Sequence, residues 1–175
     1  MIEMINPQMN ALAQDDEPLL MVDVQNALHL SHDSVIANTE QLSDWANLAY
    51  ASIRDSENEV TIRLVEEDEI TQLNRDYRGK DKPTNVLSFP FESDFDLPDA
   101  DIEFNLLGDV IICHSVIAKE AHEQSKSVLD HYAHMVIHGV LHLCGYDHQD
   151  DASAEIMEAL EVQILAKRNI ANPYL

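Results

Sequence analysis

The stretch VLDHYAHMVIHGVLHLCGYDH, residues 128–148, decides how the interior of this protein is built. Leu129, Tyr132, Ala133, Val136, Ile137, Val140 and Leu141 recur at helical spacing and cover most of a helix circumference. Against them, His131, His134, His138 and His142 form a single polar line at intervals of three and four residues. A helix that is apolar nearly all round is buried, and one polar line on it borders a cavity. Gly145 ends this helix, because glycine takes the left-handed backbone conformation that closes one. The chain can then reverse and bring His148 back toward His138 and His142.

Outward from this helix the pattern is regular. An apolar strand is predicted over 19–24, and a helix over 38–53 with Asn38 as its cap and Gln41 three residues on. Alternation predicts a strand over 60–64, and an acidic start with a basic end predicts a helix over 66–77, stopped by Gly79. A strand over 86–91 leads into an acidic loop with Asp94, Asp96, Asp99, Asp101 and Glu103, read as solvated. A strand follows over 106–113, then helices over about 115–124 and, beyond the central one, about 150–168. Four strands mixed with about five helices predict an α+β fold with a mixed sheet. The domain is expected to span 19–175, behind a disordered extension at 1–18 that holds acids and no basic residue.

Composition narrows the function. Hydrophobic content of 45% and charged content of 25% are ordinary for a globular protein. No apolar run reaches bilayer length, and the N-terminus lacks the positive and apolar regions of a secretory signal, so a cytoplasmic protein without membrane partners is expected. Cys113 and Cys144 form no C-x-x-C pair, which predicts free thiols and excludes a sulfur-ligated zinc knuckle. Cys144 falls off the histidine face and reads as a buried inert thiol. Ten Lys and Arg against 33 Asp and Glu leave a net charge of −23, which argues against a general nucleic-acid binder. Any RNA or DNA chemistry must use a local basic patch.

The histidines carry the chemistry. His138 and His142, four apart on a helix, sit one turn apart on nearly the same face and can reach a single ion. With His148 they make three neutral imidazoles and leave a fourth position open, the arrangement of catalytic zinc, one ion per chain. His131 and His134 are read as supporting or structural, and His114 and His122 as ordinary residues. The pattern H-x-x-x-H-x-x-G-x-x-H has the spacing of metzincin proteases. Those enzymes place a glutamate base directly after the first histidine, where this chain has Gly139. That absence argues against peptide hydrolysis.

Three segments resemble one family. HGVLHLCGYDH at 138–148, YRGKDKPTNVLSFP at 77–90 and LGDVIIC at 107–113 are similar to the motifs of the YbeY family, the bacterial rRNA maturation factors. The resemblance runs from about residue 60 onward. It implies a zinc-dependent endoribonuclease acting on single-stranded RNA in 16S rRNA 3′-end maturation and ribosome quality control. It further implies that His138, His142 and His148 hold the metal and that Arg78 is the functional arginine of the cleft.

The residues meet this implication at one place. Arg75, Arg78, Lys80 and Lys82 are four of only ten basic residues and fall within eight positions, beside the Gly79 turn. In so acidic a chain such a cluster suits a phosphate clamp, and Arg78 brings a planar fork that a lysine lacks. Arg75, Lys80 and Lys82 are then candidate substrate-binding residues. Two other readings compete: a zinc-stapled assembly factor without catalysis, and, more remotely, a metallopeptidase. The nucleophile is left open between an activated water and the RNA 2′-hydroxyl. With so little positive charge, delivery by the small ribosomal subunit or a ribosomal protein is expected to raise the effective concentration of substrate. On bare single-stranded RNA, the slope of log affinity against log salt should be no steeper than roughly −3, at about −0.7 per phosphate contact. A salt titration with the His142→Ala variant measures it, and a slope near about −5 would reveal a basic surface outside this segment.

Overall fold

A computed structural model describes residues 18–29, 34–92 and 105–175 of the chain. The expected extension at 1–18, except Pro18, and the acidic loop at 94–103 lie outside the described residues. The order is β1 (Leu20–Asn26), α1 (Thr39–Ala51), β2 (Asn58–Val65), α2 (Glu67–Arg78), β3 (Val86–Pro90), β4 (Leu106–Cys113), α3 (His114–Glu123), α4 (Val128–Leu143) and α5 (Asp151–Ala166). The sheet order is β1-β2-β4-β3, with β1, β2 and β4 parallel and β3 antiparallel to β4. This is the α+β fold with a mixed sheet that the pattern predicts.

Local chemistry places the boundaries. Asn38 accepts from the Gln41 backbone at 2.9 Å while the Gln41 side chain accepts from the Asn38 backbone at 3.0 Å, a complete capping box. Asp150 and Ser153 form the same reciprocal pair at the start of α5. At the other end of α2, Gly79 adopts φ 67°, a left-handed cap. The strand predicted over 60–64 extends to Asn58, because its register with β1 continues to the Leu20–Asn58 pair.

Burial explains the layers. In β4, Val110 and Ile112 point to one side of the sheet and Ile111 and Cys113 to the other, and both sides are buried. The larger core joins Val110 and Ile112 to Val60, Ile62 and Leu64 of β2 and to the apolar faces of α1 and α4. The smaller one packs Ile111 and Cys113 with Leu87 of β3 and Ile70 and Leu73 of α2. Among the described residues no helix is long and apolar enough to cross a membrane.

Gly139 sets how closely α4 lies on the sheet. A Cβ there would stand 2.6 Å from Val110 Cγ1 and 3.3 Å from Ser88 Oγ, and the Ser88 hydroxyl donates to the Gly139 carbonyl at 3.1 Å. The position therefore faces β3 and β4. A glutamate would have no room in the place where a metzincin carries its base. Gly139→Ala should destabilise the fold by about 1–3 kcal/mol through overpacking, read from urea unfolding. An unchanged midpoint would mean that α4 can withdraw from the sheet freely.

Candidate metal centre

The polar line of α4 survives folding as a continuous row of rings. Centroids lie 6.2 Å apart for His131–His134, 6.2 Å for His134–His138 and 4.5 Å for His138–His142. After the helix, Gly145 takes φ 97°, and the Gly145 and Tyr146 backbones donate to His142 and Leu141 carbonyls at 3.0 and 3.1 Å. This reversal brings the His148 ring to 4.9 Å from that of His142 and 5.4 Å from that of His138. One ring nitrogen from each of the three lies within 4.8 Å of the others, a group able to hold a metal ion.

The donor chemistry fits a cation. His138 and His142 turn their Nε2 atoms to within 3.0 Å of each other. Around a tetrahedral ion with Zn–N bonds of about 2.0–2.1 Å, ligand atoms stand about 3.3 Å apart, so little movement is needed. Burial, and then the neighbouring His138 and His148, push the His142 pKa down to about 4. At neutral pH it is an unprotonated imidazole, the form that ligates metal.

Behind this group lies a carboxylate. Glu161 of α5 is wholly buried, with Oε1 2.7 Å from His138 Nδ1. Its Oε2 lies 3.4 Å from His134 Nε2 and accepts from the Tyr174 hydroxyl. Burial alone would raise this carboxyl, but hydrogen bonds with His134, His138 and Tyr174 outweigh it and lower the pKa to about 2. Glu161 with His134 and His138 forms a second group of metal-ligating type, overlapping the first at His138. His131, at the far end of the row, lies 2.7 Å from Glu120, whose carboxyl this contact lowers against burial. His131 and His134 thus act as partners of buried or half-buried acids, the supporting role expected of them. His114, read as ordinary, is buried with Nδ1 2.7 Å from the Tyr132 hydroxyl, and His122 is exposed.

The histidines open on a cleft of about 840 Å³ between the β3 edge and the loop at 145–149. Arg78 and Lys80 also line it, together with Asn85, Ser88 and Asp147. Asn74, buried in α2, donates to the Lys82 carbonyl at 2.7 Å and so shapes the loop that presents Lys80. Arg75 is turned to Asp76 at 3.3 Å and Asp81 at 3.6 Å, and neither it nor Lys82 lines the cleft. The sequence cluster of four cations therefore separates into two at the cleft and two beside it. Cys113 and Cys144 are free; Cys144 is half-buried where a buried thiol is expected, yet that burial still pushes its pKa up, which keeps the thiol inert.

A family model described as endoribonuclease YbeY matches residues 24–169. The chain belongs to the endoribonuclease YbeY family. A relative from Alteromonas mediterranea, named endoribonuclease YbeY, is 53% identical over 160 residues, 88% of this chain and 96% of that protein. Another of the same name, from Colwellia psychrerythraea, is 55% identical over 139 residues, 78% of this chain and 86% of that protein. The solution structure of a Thermotoga maritima protein matches with a TM-score of 0.51 and 25% identity, covering 85% of this chain and 92% of that one. The YbeY resemblance seen in the three sequence motifs is thereby a family relationship across most of the chain.

Sequence reasoning missed Glu161 and Tyr174. A signal for the first existed: Met157, Glu161, Ile164 and Leu165 form the buried stripe of α5, so a carboxylate occupies a core position. Among Glu155 and Glu158 of the same helix it reads as one more solvated acid. Tyr174 follows the last helix and has no periodic context at all.

Proposed function

We propose that this chain is a zinc-dependent endoribonuclease that cuts single-stranded RNA, acting in the cytoplasm in 16S rRNA 3′-end maturation and ribosome quality control. Family membership supports the reaction class. The observation that carries the reading is the convergence of His138, His142 and His148 in a cleft that Arg78 and Lys80 also line. Residues 19–175 act in this reading as one catalytic domain.

Three imidazoles as the donor set suit zinc and leave room for a further ligand. Zinc bound there supplies a Lewis acid beside the scissile phosphate. His138, His142 and His148 hold it, and the neutral state of His142 leaves a lone pair available at neutral pH. Arg78, exposed at the rim, is the group that binds non-bridging phosphate oxygens through its planar fork and opposes the charge that grows on them. Lys80 adds a point charge to the same cleft. Arg75, held by two aspartates, and Lys82, outside the cleft lining, contribute to substrate binding at longer range only. Two cations at the cleft of a chain with net charge −23 make unaided capture of RNA weak. Delivery by the small ribosomal subunit or a ribosomal protein then brings the substrate strand to the cleft.

Elemental analysis should find about one zinc per chain, falling below about a tenth in His138→Ala, His142→Ala and His148→Ala. His134→Ala should keep it. Full occupancy in the His148→Ala protein would remove that residue from the ligand set. Arg78→Ala should retain zinc and fold while cleavage of a single-stranded RNA falls by about 100-fold or more in single turnover. Arg78→Lys should recover little of it, since the fork is gone; near-normal cleavage by the lysine variant would show that a point charge suffices. A substrate with one 2′-deoxy residue at the cut separates the two nucleophiles: blocked cutting identifies the 2′-hydroxyl, and continued cutting a water.

A further inference from the structure

Glu161 is wholly buried and sits on the apolar stripe of α5. Among the described residues no lysine or arginine pairs with it; its partners are two histidines and a phenol. Burying a carboxylate in such company is costly unless a nearby cation balances it. The geometry names the place for that cation. Oε1 engages His138 at Nδ1, 2.7 Å away, so the same ring is left with only Nε2 for any other partner. That Nε2 lies 3.0 Å from His142 Nε2, on the His142 and His148 side. Both carboxylate oxygens already meet donors, Oε1 at His138 and Oε2 at His134 and Tyr174, which argues against Glu161 as a direct ligand.

We propose that Glu161, clamped by the Tyr174 hydroxyl, is a positioning residue that keeps the His138 proton on Nδ1 and aims Nε2 at the metal. The inference rests on the ligand set His138, His142 and His148 given above. A carboxylate behind a ligating imidazole fixes its tautomer and ring orientation and strengthens it as a donor. Tyr174 supplies the clamp from the segment after α5. Its ring stands edge-on to His134, with centroids 5.5 Å apart, and its hydroxyl lies 3.3 Å from His134 Nε2. Lys126 donates to the neighbouring Pro173 carbonyl, which fastens this segment across the histidine row. The metal site thus has an outer layer drawn from α5 and from the segment that follows it, and retention of the ion depends on both.

The test compares zinc affinity of the full-length protein, stripped of metal and titrated with zinc against a chromophoric chelator. Glu161→Gln should bind about 10–100-fold more weakly than wild type. Tyr174→Phe keeps the ring of a half-exposed residue and loses one hydrogen bond, so about a fivefold loss is expected and folding is not at risk. Cobalt-substituted protein should show shifted visible absorption bands in both variants, a change that a purely structural role would not produce. Wild-type affinity within about twofold in both variants, or in Tyr174→Phe alone if Glu161→Gln does not fold, overturns the proposal. A Glu161→Gln protein that loses zinc as completely as His142→Ala also overturns it, by making Glu161 a ligand. His142→Ala serves as the control. If that variant retains zinc, or wild type takes none, the ligand set itself fails and this inference with it; if the control behaves as expected and the outer variants are unaffected, only this inference fails.

Discussion

The contact between Gly139 of α4 and Val110 of β4 fixes the rotation of the helix on which the site is built. With 2.6 Å between the position of a Cβ and the nearest Val110 methyl, only a bare Cα lets the helix settle there. Side chains three and four positions away are then committed. Val136, Ile137, Val140 and Leu141 enter the core shared with β2 and α1, and the histidine row is turned away from it. This packing holds the helix in its setting, because interiors are filled to crystal-like density. The one residue of the protease spacing that this chain lacks is therefore the residue its fold could not accommodate.

Charge is distributed to match that geometry. A chain with net charge −23 places two of its cations, Arg78 and Lys80, in the cleft that the three histidines line. Three other arginines are paired with acids: Arg75 with Asp76 and Asp81, Arg63 with Glu69 at 2.7 Å, and Arg168 with Asp44 at 2.5 Å. The acids near the site face inward as hydrogen-bond acceptors for imidazole, Glu161 for His134 and His138 and Glu120 for His131. Glu161 and Glu120 thus support the histidine row from behind, while Asp147 lines the cleft itself beside His148. The same arrangement keeps the half-buried His142 neutral and so available as a donor.

The two walls of the cleft are held to one sheet edge by unrelated local devices. On one side α4 runs beside β3, bridged by the hydrogen bond from Ser88 to Gly139. On the other, α2 ends at the left-handed Gly79, and Asn74 pulls the following loop inward through the Lys82 carbonyl. Because β3 pairs antiparallel with β4 at the end of the sheet order, the loop before it and the helix beside it meet over the same edge. Segments separated by about sixty residues in the chain, Arg78 and His138, thereby line one cavity.

Much of this was legible in the residues themselves. Strand and helix positions, the Asn38 cap and the Gly79 stop follow from local rules, since hydrogen bonds and apolar periodicity act over three to seven residues. The convergence of His138, His142 and His148 was legible for the same reason: four residues of helix and one glycine reversal span the whole group. Arg78 and Lys80 could be nominated by their concentration in an acidic chain, but so could Arg75 and Lys82, and composition does not distinguish them. Tertiary structure makes that distinction, by pairing Arg75 with two aspartates and leaving Lys82 outside the cleft lining. It alone selects Glu161 among the acids of α5, because a carboxylate on a solvated face and one buried against imidazoles have the same local pattern. Sequence determines what short-range bonding and periodicity can encode; which charged side chain is desolvated, and by whom it is then compensated, depends on elements that meet only when the chain has folded.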